Sequence, residues 1–127
     1  MSDNFQVSTP DFLRHLQSSL TAAPEERLHA TYSDRHGRYL DDEVLVIGAA
    51  GYVAVRAREL FGRALALGAG GLLLAHNHPS GQCRPSAEDL AATDRMRAIA
   101  RALDITLLDH LILTRTDIYS IRMGRCL

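Results

Sequence analysis

Lysine is missing altogether: all 14 basic residues of the 127-residue chain are arginine. Chemistry that needs a lysine amine, such as a Schiff base, is therefore excluded. The arginines are scattered, so the bias reads as one of the encoding genome. Cysteine is almost as scarce. Cys83 and Cys126 could form one bridge, but they cannot build a disulfide framework, and a reducing cytoplasm is the simpler setting. The opening residues "MSDNFQVSTPDF" lack a basic region followed by an apolar core, so no secretory leader is expected. The longest apolar runs fall far short of a membrane span. No sign of charge dominates either. A net charge of −1 predicts weak nucleic-acid binding and gives no reason to make it the main role.

What is present is the material of one ordinary globular domain, 46% hydrophobic and 23% charged. Residues 1–7 read as a loose tail and residues 8–127 as the domain. "STPDFLRHLQSSL" offers a Ser/Thr cap, a proline fit for a first helical turn, and Phe12, Leu13, Leu16 and Leu20 at helical spacing. "RLHATYSD" and "RYLDDEVLVIG" predict a hairpin around "DRHG", and "YVAVR" a further short strand. A helix follows in "ARELFGRALALGAGG", with Leu60, Phe61, Ala64 and Leu65 on one side and Gly68 as its stop. "GLLLA" is wholly apolar and suits a central strand covered on both faces. "SAEDLAATDRMRAIARAL" predicts the best helix, buried along Ala92, Met96, Ile99 and Leu103, and "ITLLDHLILT" and "IYSIRM" close the sheet around the turn "RTD". The sum is an α/β domain with a single mixed sheet flanked by helices.

The chemistry concentrates where the central strand breaks into a Pro/Gly loop, in "LLLAHNHPSGQCRPSAED". His76 and His78 stand two apart, so in extended chain both imidazoles leave the same side, roughly 6.5–7 Å apart along the backbone. Two imidazoles so placed can converge on one ion. An open catalytic metal site needs a third protein ligand, and Asp89, in the first turn of the next helix, is the best candidate. On its own, Ser86-x-x-Asp89 reads as a helix N-cap with an acid at the third helical position, and each histidine alone reads as structural or exposed. The combination at one strand end points to a metal, and a capping serine can still present its hydroxyl there. Asp109 and His110 form a second polar pair inside an apolar run. They read either as a hydrogen-bonded core pair or as partners orienting a metal ligand.

The pattern His76-x-His78, seven residues, Ser86-x-x-Asp89 resembles the signature of the JAMM (MPN-plus, or JAB) metalloprotease family. "LAHNHPSG" with "PSAED" is similar to its RadC branch, as are "EVLVIG", "RELFGRALALGAGG", "LLDHLILT" and "YSIR" around it. The likeness covers the chain from about Ser8 onward. It implies a cytidine-deaminase-like JAB/MPN fold, with His76, His78 and Asp89 as ligands of Zn2+. It also implies Glu43 as the acid/base that activates water, and Ser86 as the donor to the tetrahedral oxyanion. The implied activity is hydrolysis of peptide or isopeptide amides in a peptide or protein substrate. Two features depart from the branch: Ala57 replaces the usual proline before "RE", and "QCR" stands where "DPT"-like residues are common. The helix-hairpin-helix region usual at the N-terminus of RadC proteins has no room here, which weakens an inherited DNA-repair role.

Other classes fit less well. The letters "HNH" are not the nuclease signature, whose residues are spread over a ββα-metal unit. A zinc deaminase needs His-x-Glu and Pro-Cys-x-x-Cys, and neither occurs. A metal-free scaffold would lack the ligand set. A DNA-repair-associated RadC-like accessory without peptidase activity is the remaining alternative, and steep salt-dependent DNA binding would mark it.

Overall fold

Thr9 and Pro10 open the first helix, α1 (Pro10–Thr21), with the Thr9 hydroxyl accepting the Phe12 N–H. The computed structural model describes residues 5–48 and 56–127. After α1 come β1 (Glu26–Ser33), β2 (Tyr39–Gly48), α2 (Ala57–Leu67) and β3 (Gly71–Asn77), then α3 (Ala87–Ala102), β4 (Thr106–Leu113), β5 (Ile118–Ser120) and β6 (Arg125–Cys126). The short strand expected over 52–56 lies outside the described residues, apart from Arg56, the N-cap of α2.

The described strands form one mixed sheet in the order β2-β1-β3-β4-β5-β6, in which β3 and β4 alone run parallel. A parallel pair cannot be joined by a tight turn, and α3 supplies the crossover. All of β3 is buried, as its unbroken apolar run dictates. Alternation sends Leu72 and Leu74, with Leu28, Ala30 and Tyr32, beneath α2 and α3. Leu73 and Ala75, with Leu111 and Leu113, lie beneath α1 on the other face. Gly68 ends α2 at φ +67, and the chain then passes so close to the hairpin that a Cβ on Gly70 would stand 2.7 Å from the Arg35 backbone. This is the mixed α/β sheet flanked by helices that the pattern predicts. The two-residue β6 is an addition to it.

Three expectations need correction. Phe5–Val7 are not loose: Val7 is buried, its N–H bonds the Gly37 carbonyl, and Phe5 stacks on Tyr39 at 4.8 Å. A sequence too short to show periodicity conceals such a clasp. Leu65 is 55% exposed because α2 buries only the narrow side carrying Leu60, Phe61 and Ala64. The fully buried stripe of α3 is Asp89, Thr93, Met96 and Ala100, so of the four residues expected there Met96 is fully buried, Ile99 packs against the core while only partly buried, and Leu103 is exposed. The helix is turned by about one residue because its polar side chains Asp89 and Thr93 face the end of β3, and hydrophobicity alone does not report that. Met96→Ala should therefore cost about 2–5 kcal/mol, whereas Leu103→Ala, at a position 36% exposed, should cost well under half as much. Urea denaturation of the two variants measures the difference.

Candidate metal centre

β3 continues past its apolar stretch, so His76 lies inside the strand, while His78 follows its last residue. Strand alternation places His76 on the same side as Leu72 and Leu74, facing α3. The His78 N–H bonds the Leu113 carbonyl at 2.9 Å, and Gly81, at φ +86, returns its own N–H to the His78 carbonyl. The chain thereby reverses, and Ser86 caps the start of α3. The Ser86 hydroxyl accepts the Asp89 N–H at 3.0 Å and the Asp89 carboxylate accepts the Ser86 N–H at 2.9 Å, a complete capping box.

The cap and the metal reading coexist. The Nε2 atoms of His76 and His78 lie 2.9 Å apart, and the two Asp89 oxygens lie 3.5 Å from the first and 3.3 Å from the second. Donors around a tetrahedral ion with arms of about 2.0–2.1 Å stand about 3.3 Å from one another. The two Nε2 atoms stand somewhat closer than that edge, and Asp89 meets His76 through Oδ1 and His78 through Oδ2, so small side-chain shifts would bring all three donors onto one ion. His78 Nδ1 donates to the Gln82 carbonyl at 2.8 Å, which leaves its Nε2 lone pair facing the cluster. His76, His78 and Asp89 can hold a metal ion together.

The supporting polar groups divide in two. Asp109 takes the Ser120 hydroxyl and the Arg122 N–H and so fastens the turn beyond β5. His110 instead touches the metal cluster, with its Nε2 2.7 Å from His76 Nδ1 and its Nδ1 2.6 Å from the Thr93 hydroxyl oxygen. Burial, with the neighbouring His76 charge, pushes the His110 imidazole down to about 3.

Glu43 is not brought to this cluster. It sits on the edge strand β2, two strands from β3 and so roughly 10 Å across the sheet, and it accepts the Tyr32 hydroxyl at 3.0 Å. Its partner on β1 is Ala30, which pairs with Leu74, two residues short of His76. The acid that does arrive is Glu26. β1 pairs with β3 so that Leu28 meets His76. The same register, continued by two residues, sets Glu26 opposite His78, and the Glu26 charge is felt there. Among the described residues, Glu26 Oε2 is the buried side-chain oxygen with no hydrogen-bond partner.

A family model for the RadC-like JAB domain matches residues 7–126. The chain belongs to the RadC-like JAB domain family. Similar curated proteins include a "UPF0758 protein" of Aquifex aeolicus (strain VF5), 41% identical over 97 residues, covering 76% of this chain and 42% of that protein. Another, a "UPF0758 protein" of Rhodobacter capsulatus, is 39% identical over 101 residues, covering 80% of this chain and 47% of that protein. The JAB domain thus spans less than half the length of these relatives. Among its described residues, no helix is long and apolar enough to cross a membrane.

Electrostatics of the JAB domain keep negative charge on Asp89. Burial would raise the Asp89 carboxyl, but the facing imidazoles of His76 and His78, and the Ser86 N–H, hold it well below the usual range. Burial would likewise lower His78, but the Asp89 carboxylate, the Gln82 carbonyl and the Glu26 charge raise it above 6.5. A proton on His78 competes with an ion, so metal affinity should climb as pH rises through that raised value and then level off. For chelator-treated protein the sign is opposite. The His78 contribution to stability is full below 6.5 and fades as pH rises, while the Asp89 contribution is full above 3.8 and fades in acid. Thermal melts with and without chelator across neutral pH check both directions. A cleft of about 420 Å³, lined by Thr21, Pro24, Asn77, Thr114 and Arg115 among others, meets the cluster at His78.

Sequence reasoning missed Glu26 because "TAAPEE" reads as a breaker, and an acid before a strand carries no periodicity. The signal that could have found it is register: a strand begun one residue earlier than Arg27 and laid antiparallel to β3.

Proposed function

We propose that this JAB domain is a zinc-dependent hydrolase of peptide or isopeptide amide bonds. The observation that supports it most is the convergence of two imidazoles and a carboxylate close enough to share one ion, with an unpartnered Glu26 oxygen on the adjoining strand. Two nitrogen donors and one oxygen donor with an open corner suit zinc. Bound there, zinc would polarise a substrate carbonyl and lower the pKa of water to about 7.

The remaining work falls to the chain. Glu26, in place of Glu43, takes a proton from the attacking water at Oε2 and returns it to the departing amine nitrogen. Ser86 has its oxygen committed to the Asp89 N–H but keeps its O–H proton, which it directs to the carbonyl oxygen as negative charge gathers there. The capping box holds Asp89 in place while this happens.

The test compares chelator-stripped protein with the same sample reloaded with zinc, on a panel of linear peptides and isopeptide-linked pairs followed by mass spectrometry. Cleavage that vanishes on stripping and returns with zinc is the expected result. Tight zinc binding without cleavage anywhere in the panel would instead favour a DNA-repair-associated accessory, and no zinc binding would remove the reading.

A further inference from the structure

His110 and Thr93 lie outside the ligand set, yet their hydrogen bonds decide how His76 is presented. The Thr93 hydroxyl is 2.7 Å from the Asp89 backbone carbonyl and 2.6 Å from His110 Nδ1. A carbonyl can only accept, so the single hydroxyl proton points to Asp89. Thr93 must then accept from His110, which fixes the ring proton of His110 on Nδ1. A second ring proton would bury a charge that no carboxylate touches. His110 Nε2 is thus a lone pair, and across 2.7 Å it can only receive a proton from His76 Nδ1. The proton of His76 lies on Nδ1, and its Nε2 lone pair faces His78 and Asp89.

We infer that Thr93 and His110 form a one-way hydrogen-bond chain that locks His76 in the tautomer able to ligate a metal through Nε2. The chain starts at the backbone of one ligand, Asp89 on α3, passes through β4, and ends on another, His76 on β3. Reversing any link leaves two acceptors facing each other at Thr93 or at Asp89, whereas the forward direction moves the unmet acceptors to the Nε2 lone pairs of His76 and His78, 2.9 Å apart, where a shared cation would satisfy both. His110 and Thr93 are positioning residues, and their consequence for metal affinity rests on the zinc reading above.

Long-range nitrogen–proton NMR of chelator-treated protein reports the His76 tautomer directly and needs no metal. A proton on Nδ1 is expected, and one on Nε2 overturns the inference. Zinc competition with a chromophoric chelator supplies the second readout. His110→Phe should weaken zinc binding about 10–100-fold. His110→Gln, whose amide oxygen can accept the His76 proton, should recover most of it. Thr93→Val should weaken it, and Thr93→Ser should not. A folded His110→Phe variant that binds zinc as the parent does overturns the inference. Failure of the parent chain to bind zinc counts against the proposed function alone, because the tautomer measurement still decides this one.

A separate contact joins the loop to the end of the chain. The sulfur atoms of Cys83 and Cys126 lie 3.4 Å apart across 43 positions of sequence, and both thiols are free. Cys83 follows Gln82, whose carbonyl holds His78 Nδ1. We propose that the pair is a disulfide-forming modification site that staples the metal-site loop to β6. With a low-molecular-weight disulfide such as oxidised glutathione, the Cys126 thiolate attacks one sulfur and releases one glutathione thiol. The Cys83 thiolate then displaces the second, and two electrons pass from the protein pair to the oxidant. Peptide mapping after oxidised glutathione treatment should find an 83–126 intrachain link, lost in Cys126→Ser, with slower amide exchange over 78–86. A stable glutathione adduct or an intermolecular link would overturn it.

Discussion

A His76→Ala, His78→Ala double variant is expected to carry no zinc after dialysis against a weak chelator, where the parent chain keeps about one equivalent. Two of three donors are lost, and a single carboxylate cannot compete with the chelator. Asp89 still closes its capping box on Ser86, so α3 should start normally and circular dichroism should show a folded protein. Loss of metal can then be assigned to the missing imidazoles. Metal analysis by mass spectrometry makes the measurement, and equal zinc in both proteins would end the assignment.

Glu26→Gln should keep its zinc and lose about 10²–10⁴ in amide cleavage, while Glu43→Gln should stay within a few-fold of the parent. The contrast follows from placement. The Glu26 carboxylate has a buried oxygen with no partner on the strand that lies against β3, whereas Glu43 is occupied by Tyr32 on the far edge strand. Glutamine keeps the shape of Glu26 but cannot take a proton, so kcat should fall with little change in KM. Glu43→Gln exchanges one acceptor of the Tyr32 hydroxyl for another and should touch stability only slightly. The reverse pattern, with Glu43→Gln inactive and Glu26→Gln active, would restore the role that family resemblance alone gives to Glu43.

These contrasts show where sequence was informative. His76, His78, Ser86 and Asp89 share one short segment, so spacing and the expected strand-loop-helix brought them together without knowledge of the fold. The central strand was equally legible, because burial on both faces leaves an unbroken apolar run. The rest depends on how distant segments meet. Glu26 reaches the cluster through the register of β1 on β3, and nothing in "PEERLHATYS" states that register. His110 reaches His76 because β4 lies parallel to β3 with Leu74 beside it. From sequence it was one of two polar residues in an apolar run, with core packing the favoured account. The α3 stripe failed for a related reason. Asp89 and Thr93 are buried polar groups satisfied by partners elsewhere in the chain, and a reading based on hydrophobicity turns the helix to hide Leu103 instead.

The three donor side chains are neighbours in sequence, while Glu26 and His110 arrive from opposite flanking strands. A nascent chain that has just exposed the histidine loop and the start of α3 holds every donor and Glu26, but not yet His110. Its grip on an ion should be loose until β4 has docked, so that firm occupancy becomes a late event in maturation and tells a half-built molecule from a finished one.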